Sequence, residues 1–269
     1  MTWLKEVFGT EKPIIAMCHL HAMPGDPGYD RAGGMKAVVE AGRKDLHALQ
    51  AGGVDAVMFS NEFSRPYLTH VEPVTAAAMA RVVGELMSEI RVPLGVNLLW
   101  DARTTIDVAA AVGAKFVREV FSGAYASDFG VWDTSPGAVY RHKIAVGAEG
   151  VRLLYNIYPE GAVYIAQRSL TDIAKSTLFN TLPDAICVSG ITAGSQTDEN
   201  LLAEVKRAVP DVPLFANTGV KLETLSSQLA IADGAVVGTY FKKDGYTWNP
   251  VDVKRVEAFM AAVRRLPGR

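Results

Sequence analysis

The strongest constraint on this chain is an alternation. From Pro13 nearly to the C-terminus, short β-branched or apolar runs are each followed by a longer amphipathic stretch. The runs fall at 14–20, 56–60, 94–99, 116–121, 151–155, 185–189, 214–217 and 235–240. The amphipathic stretches fall at 35–50, 73–90, 104–112, 136–146, 170–182, 200–209, 222–231 and 251–266. Strand-like runs separated by helical patterns are the sequence form of a parallel sheet with crossover helices. Eight of each use up a chain of 269 residues, close to the roughly 250 of a typical (β/α)8 barrel. The expected fold is α/β, one TIM barrel domain spanning 1–269. Turn signals such as Gly52-Gly53, Val92-Pro93, Gly113 and Asp233-Gly234 precede the runs and mark the lower face; chemistry belongs on the opposite rim, after the strands. A doubly wound sheet also alternates, but it carries a G-x-G-x-x-G turn after its first strand. Here that place is taken by His19-Leu20-His21-Ala22-Met23-Pro24-Gly25-Asp26-Pro27-Gly28, too bulky for a close approach to pyrophosphate.

Charge and composition exclude several classes. Lys plus Arg number 27 against 29 Asp plus Glu, and neither sign forms a block, so no nucleic-acid footprint is present. No apolar run reaches the roughly 18 residues of a spanning helix, and Met1 to Thr10 lacks the form of a signal peptide. Cys18 and Cys187 form no C-x-x-C, the pattern of neither a disulfide framework nor a zinc site. A cytoplasmic protein with no membrane insertion is expected.

The most informative region joins the seventh and eighth runs: Ala216-Asn217-Thr218-Gly219-Val220, then Val237-Gly238-Thr239-Tyr240. Glycines directly after these two strands let main-chain N–H groups turn inward where the amide dipoles favour a dianion. Gly219, Gly238 and Thr239 are the candidate phosphate ligands, with Asn217 beside them. The plainer account makes both glycines mere turn residues.

Three segments resemble the BtpA/SgcQ family of barrel proteins: Ala16-Met17-Cys18-His19-Leu20-His21-Ala22-Met23-Pro24-Gly25, Pro93-Leu94-Gly95-Val96-Asn97, and Ala232-Asp233-Gly234-Ala235-Val236-Val237-Gly238-Thr239 with Gly245-Tyr246-Thr247-Trp248-Asn249-Pro250-Val251-Asp252. The likeness runs along essentially the whole chain. It implies a ribulose-phosphate-binding type of barrel and hence a phosphate site. Some members are linked to biogenesis of a photosynthetic membrane complex and others to sugar uptake and metabolism, so the resemblance does not fix one reaction. In the family pattern an Asp and a following Lys-His occupy the stretch that here reads Tyr155-Asn156-Ile157-Tyr158-Pro159-Glu160, a departure that implies a different substrate or a weaker activity.

Several rim residues can do chemistry. His19 ends the first run and can exchange a proton near neutral pH; His21 lies two residues on, sharing its face if the strand continues. Asn61 and Glu62 follow the second run, and Glu62 becomes a general base if apolar neighbours raise its pKa. Asn97 sits in an otherwise apolar run and needs a partner, since a buried orphan amide costs about 1–3 kcal/mol. Arg118 and Glu119 are adjacent and point to opposite sides, so one of them faces the interior. Asn156 ends the fifth run, and Ser189 opens a polar loop reaching to Asp198 that can meet the non-phosphate part of a ligand. Asp101 reads as a helix N-cap, and the cysteines as small buried hydrophobes. No lysine sits in the upper half of a strand, which argues against a Schiff base, and no clear metal-ligand set or cofactor motif is present.

The sequence therefore leads to an enzyme that binds a small phosphorylated sugar or nucleoside-like metabolite. His19, Glu62, Arg118 and Asn156 are its catalytic candidates; Asn61, Asn97, Ser189, Asn217, Gly219, Gly238 and Thr239 are its binding candidates. Isomerisation or epimerisation by proton transfer suits them, with bond cleavage as an option. The alternative is a non-catalytic assembly or ligand-sensing barrel. Loops at 21–34 and 123–135 are long enough for lids or subunit contacts, and exposed Phe129 and Trp132 in the second favour a homo-oligomer.

Overall fold

The computed structural model describes residues 2–190 and 197–266. Its elements are α1 (Trp3–Phe8), β1 (Ile14–His19), α2 (Gly34–Ala51), β2 (Ala56–Ser60), α3 (Pro73–Leu86), β3 (Leu94–Asn97), α4 (Ala102–Val112), β4 (Phe116–Glu119), β5 (Ala124–Ser127), β6 (Gly130–Asp133), α5 (Pro136–Ala145), β7 (Arg152–Tyr158), β8 (Ala162–Tyr164), α6 (Leu170–Asn180), β9 (Ala185–Val188), α7 (Glu199–Ala208), β10 (Leu214–Ala216), α8 (Leu225–Ile231), β11 (Gly234–Val237) and α9 (Val253–Val263). Strands β1, β2, β3, β4, β7, β9, β10 and β11 pair in parallel in that order, and β11 closes back onto β1. This is the (β/α)8 barrel read from the alternation. The helices start where local chemistry supplies a cap: Asp101, Ser169, Asp198 and Asp252 each accept a main-chain N–H with their side chains at the starts of α4, α6, α7 and α9.

Alternate residues along each barrel strand point inward. The inner layers are apolar: Ile15, Met17, Ala56, Met58, Phe116, Leu154, Ala185, Cys187, Phe215 and Val236 form one buried cluster. The bulk is balanced by glycine. A Cβ on Gly95 would lie 2.3 Å from the Phe116 ring, and one on Gly234 would lie 2.5 Å from the Phe215 ring. Burying rings of this kind contributes roughly 1.5–3 kcal/mol each. Two residues further along every strand the inner position turns polar or small, giving His19, Ser60, Asn97, Arg118, Asn156, Ser189, Asn217 and Gly238 at the upper rim. The larger core lies outside the sheet, between strands and helices.

Three features depart from the sequence expectation. The N-terminal segment forms α1, capped by Thr2, and its Leu4 and Phe8 join the inner cluster; Phe8 meets Phe116 edge-on with centroids 5.2 Å apart. The segment expected as a loop at 123–135 is instead the hairpin β5–β6, and β8 joins it to make an antiparallel three-stranded sheet. Trp132 is accordingly not exposed: it is 8% accessible, stacks on Tyr125 at 4.8 Å and donates to Ser127 Oγ at 3.0 Å. The seventh helical stretch also begins later than read, at Leu225, because 218–224 is spent on turns.

Candidate functional site

Above the apolar layers lies a cavity of about 580 Å³. Seven of the residues singled out in the sequence line it: His19, Glu62, Arg118, Asn217, Gly219, Gly238 and Thr239. The other candidates sit behind this lining. Asn61 Oδ1 accepts from Leu99 N at 2.7 Å and braces the segment that carries Trp100. Asn97, Asn156 and Ser189 belong to a polar chain beneath the mouth.

That chain starts at Glu119. Its Oε1 accepts from Asn97 Nδ2 at 2.7 Å and its Oε2 from Val120 N at 2.6 Å. Asn97 Oδ1 then accepts from Arg118 at 2.9 Å, and a second Arg118 nitrogen donates to Asn217 Oδ1 at 3.0 Å. Asn217 Nδ2 donates to Ser189 Oγ at 2.6 Å, and Ser189 donates to Asn156 Oδ1 at 3.3 Å. Asn156 Nδ2 reaches Glu160 at 3.4 Å. Arg118 is thus the member of its pair that faces the barrel mouth, and Asn97 finds both partners in protein. Glu119 turns up at the strand end and takes the other side of the same amide. Arg118 is nearly buried and takes part in none of the ion pairs among the described residues, and its Nε has no partner. A guanidinium is always charged, so this buried cation is neutralised only at a distance and offers itself to an anion in the cavity.

His19 and Glu62 meet at 3.8 Å between Nε2 and Oε2. Burial, followed by the positive charges of Lys242 and Arg118, pushes the imidazole well below its ordinary value. Burial also raises the Glu62 carboxyl, although Arg118 and the Tyr67 hydroxyl oppose it. The pair therefore holds an unprotonated imidazole beside a carboxyl with increased proton affinity. Tyr67 steadies Glu62, its hydroxyl donating to the carboxylate at 3.2 Å and to the Glu62 carbonyl at 3.0 Å. On the other flank Gly238 crowds the imidazole: a Cβ there would come within 3.2 Å of His19 Cε1.

The glycine corner is built by Gly219, where the chain turns with φ 63°, and by Gly238, which a short 3-10 turn, Thr239–Phe241, follows. The Thr239 hydroxyl pairs with Thr247 at 2.9 Å. Lys221 and Arg255 bring positive charge to the lining there, and Glu223 a carboxylate beside them. His21 leaves the strand direction and packs on Phe63, with ring centroids 4.8 Å apart. The loop after Ser189 falls on residues 191–196, outside those described. Burial pushes up the thiols of both Cys18 and Cys187, as for inert core residues.

Sequence reasoning missed Ser60, Glu119's role, and the aromatic wall of Tyr67, Trp100 and Phe129. Ser60 was findable, since it stands in phase with Ala56 and Met58 on the inner face of β2. The wall was not, because its rings come from three separate rim segments.

Comparison with known proteins agrees with this architecture. The chain is 60% identical over 266 residues to the putative sgc region protein SgcQ of Escherichia coli (strain K12), covering 99% of each. It is 29% identical over 263 residues, 97% of this chain and 91% of the other, to the photosystem I biogenesis protein BtpA of Synechocystis sp. (strain ATCC 27184 / PCC 6803 / Kazusa). Among solved structures, (S)-3-O-geranylgeranylglyceryl phosphate synthase from Thermoplasma acidophilum, in complex with sn-glycerol-1-phosphate, superposes with a TM-score of 0.62 at 14% identity over 99% of this chain and 100% of that one. That likeness is one of fold. No described helix is long and apolar enough to cross a membrane. With a family model matching residues 10–265 and the barrel, rim and sequence likeness all in accord, the chain belongs to the BtpA family.

Proposed function

We propose that this protein is an enzyme acting on a small phosphorylated sugar or nucleoside-like metabolite, by acid/base isomerisation or epimerisation. The observation that carries the reading is the His19–Glu62 pair at 3.8 Å on the cavity wall, flanked by Gly238 on one side and by the buried Arg118 on the same lining. The phosphate is held by the main chain at Gly219, Gly238 and Thr239, with Lys221 and Arg255 nearby. This sets the carbon next to the ester under His19 and Glu62. Neutral His19 removes a proton, Glu62 returns one, and Arg118 stabilises the negative charge that develops between the two steps. Asn97 and Asn217 hold the guanidinium in place, while Asn156 and Ser189 support Asn217. No covalent nucleophile is required.

A binding-only reading is favoured by one fact: a relative at 29% identity carries the name of a photosystem I biogenesis protein. Turnover separates the two. Sugar phosphates and their unphosphorylated forms are screened by thermal shift, and each phosphorylated hit is incubated with enzyme and its product mixture analysed. The enzyme reading expects conversion that His19→Ala and Glu62→Gln each reduce by at least about 100-fold. Stabilisation by a ligand that is never converted contradicts it.

A further inference from the structure

The cavity does not end at the acid/base pair. Short contacts give its order. Gly238 abuts His19, His19 meets Glu62, and Glu62 accepts from Tyr67. Tyr67 then stands edge-on to Trp100 and Phe129, with centroids 6.4 and 5.8 Å away. Trp100 and Phe129 lie at 5.5 Å with 30° between their planes, a tilted, partly overlapping pair that makes the apolar wall of the cavity there. Phe129 leads through Asp128 to the backbone at Gly161, since Asp128 N donates to Gly161 O at 3.3 Å, and Glu160 precedes that glycine. All of these residues line the same cavity. Its two ends therefore differ in chemistry. One carries Lys221, Arg255 and Glu223 at the glycine corner. The other carries Asp128 and Glu160 beside the aromatic wall, with the His19–Glu62 pair between.

We infer that the substrate is a two-part molecule: a phosphate-bearing unit joined to a second ring, with the second ring seated on Trp100 and Phe129 and its edge donors bonded to Glu160 and Asp128. This rests on the function proposed above and names its substrate class. A cavity near 600 Å³ is in the range that takes a drug-sized ligand, more than a triose or pentose phosphate fills. An aromatic wall rewards a flat or C–H-bearing face, while carboxylates at its edge accept from hydroxyl or amino groups. A glycosyl ring and a nucleobase both meet these requirements. They share one chemistry here, a stackable face with donors on its rim. The aromatic wall is not intrinsic to the barrel, for Phe129 arrives on the β5–β6 hairpin. The inserted sheet is thus the element that selects the second ring.

Calorimetric titration of the full chain tests this with three probes: ribose 5-phosphate, adenosine 5′-monophosphate and trehalose 6-phosphate. The expected result is that at least one two-ring probe binds 10-fold or more tighter than ribose 5-phosphate. Phe129→Ala and, as a second and milder change, Glu160→Gln should bring that ratio towards one. Adenosine 5′-monophosphate as the better probe identifies the ring as a base; trehalose 6-phosphate identifies it as a sugar. Equal affinity for one-ring and two-ring probes, or no binding of either two-ring probe, overturns the inference. Adenosine or trehalose binding as tightly as its phosphate would leave the second-ring site standing and overturn the phosphate reading instead.

Discussion

At the residue scale, the decisive arrangement is a cation with no direct counter-ion among the described residues. Arg118 spends its fork on two amide carbonyls, Asn97 at 2.9 Å and Asn217 at 3.0 Å, so its charge remains available to substrate. Lysine cannot span both carbonyls with a planar fork. Arg118→Lys should therefore lower kcat by about 100-fold or more, with a smaller change in KM, read by steady-state kinetics on the first substrate found. Glu119 supplies a pH test. Burial raises its carboxyl to about 8, against the lowering influence of Val120 N–H, Arg118 and Asn97. Between its ordinary value of 4.5 and about 8, the native state holds a proton that the unfolded chain has released. Stability consequently falls as pH rises through that window. Glu119→Gln should flatten this part of the curve, measured by thermal melts at intervals between the two values; an unchanged slope contradicts the assignment. His19 and Glu62 were legible as lining residues because each stands at or just past the end of an apolar run, whereas Arg118 stands inside the run at 116–121 and was legible only as one of a pair with Glu119. The use of Glu119 was not, since strand alternation sends it away from Arg118, and only the folded chain shows its bond with Asn97 on the neighbouring strand.

At the scale of elements, the helix α1 and the inserted sheet are the parts the alternation did not disclose. A six-residue helix is too short to register as a period, yet Leu4 and Phe8 close the lower end of the barrel interior. Phe8→Ala should cost about 3–5 kcal/mol, read from urea denaturation. Because the plug lies at the end opposite the cavity, ligand affinity under folding conditions should hardly change. A large loss of affinity in that variant would contradict the separation of stabilising and ligand-binding ends. The hairpin was hidden for a different reason. Its strands β5 and β6 are four residues each, and their inward face is aromatic where an irregular loop with exposed rings was expected. Tyr125, Trp132 and Trp100 form a cluster of their own at the rim, so this sheet is packed from below by the barrel's loops.

At the scale of the whole molecule, the barrel was the most legible feature, because eight repeats of one pattern leave few alternatives and the parallel register needs every strand. The site was legible only where it coincides with strand ends; whatever the rim segments build together, such as the wall of Tyr67, Trp100 and Phe129, depends on contacts between distant parts of the chain. The central claim is that the glycine corner after β10 and β11 holds the phosphate and thereby places the substrate under His19 and Glu62. A crystal structure of the chain with a bound sugar phosphate tests it most directly. The account predicts phosphate oxygens within hydrogen-bonding distance of the main chain at Gly219 and at Gly238–Thr239. Phosphate found instead against Arg118, with the glycine corner left to solvent, would contradict it.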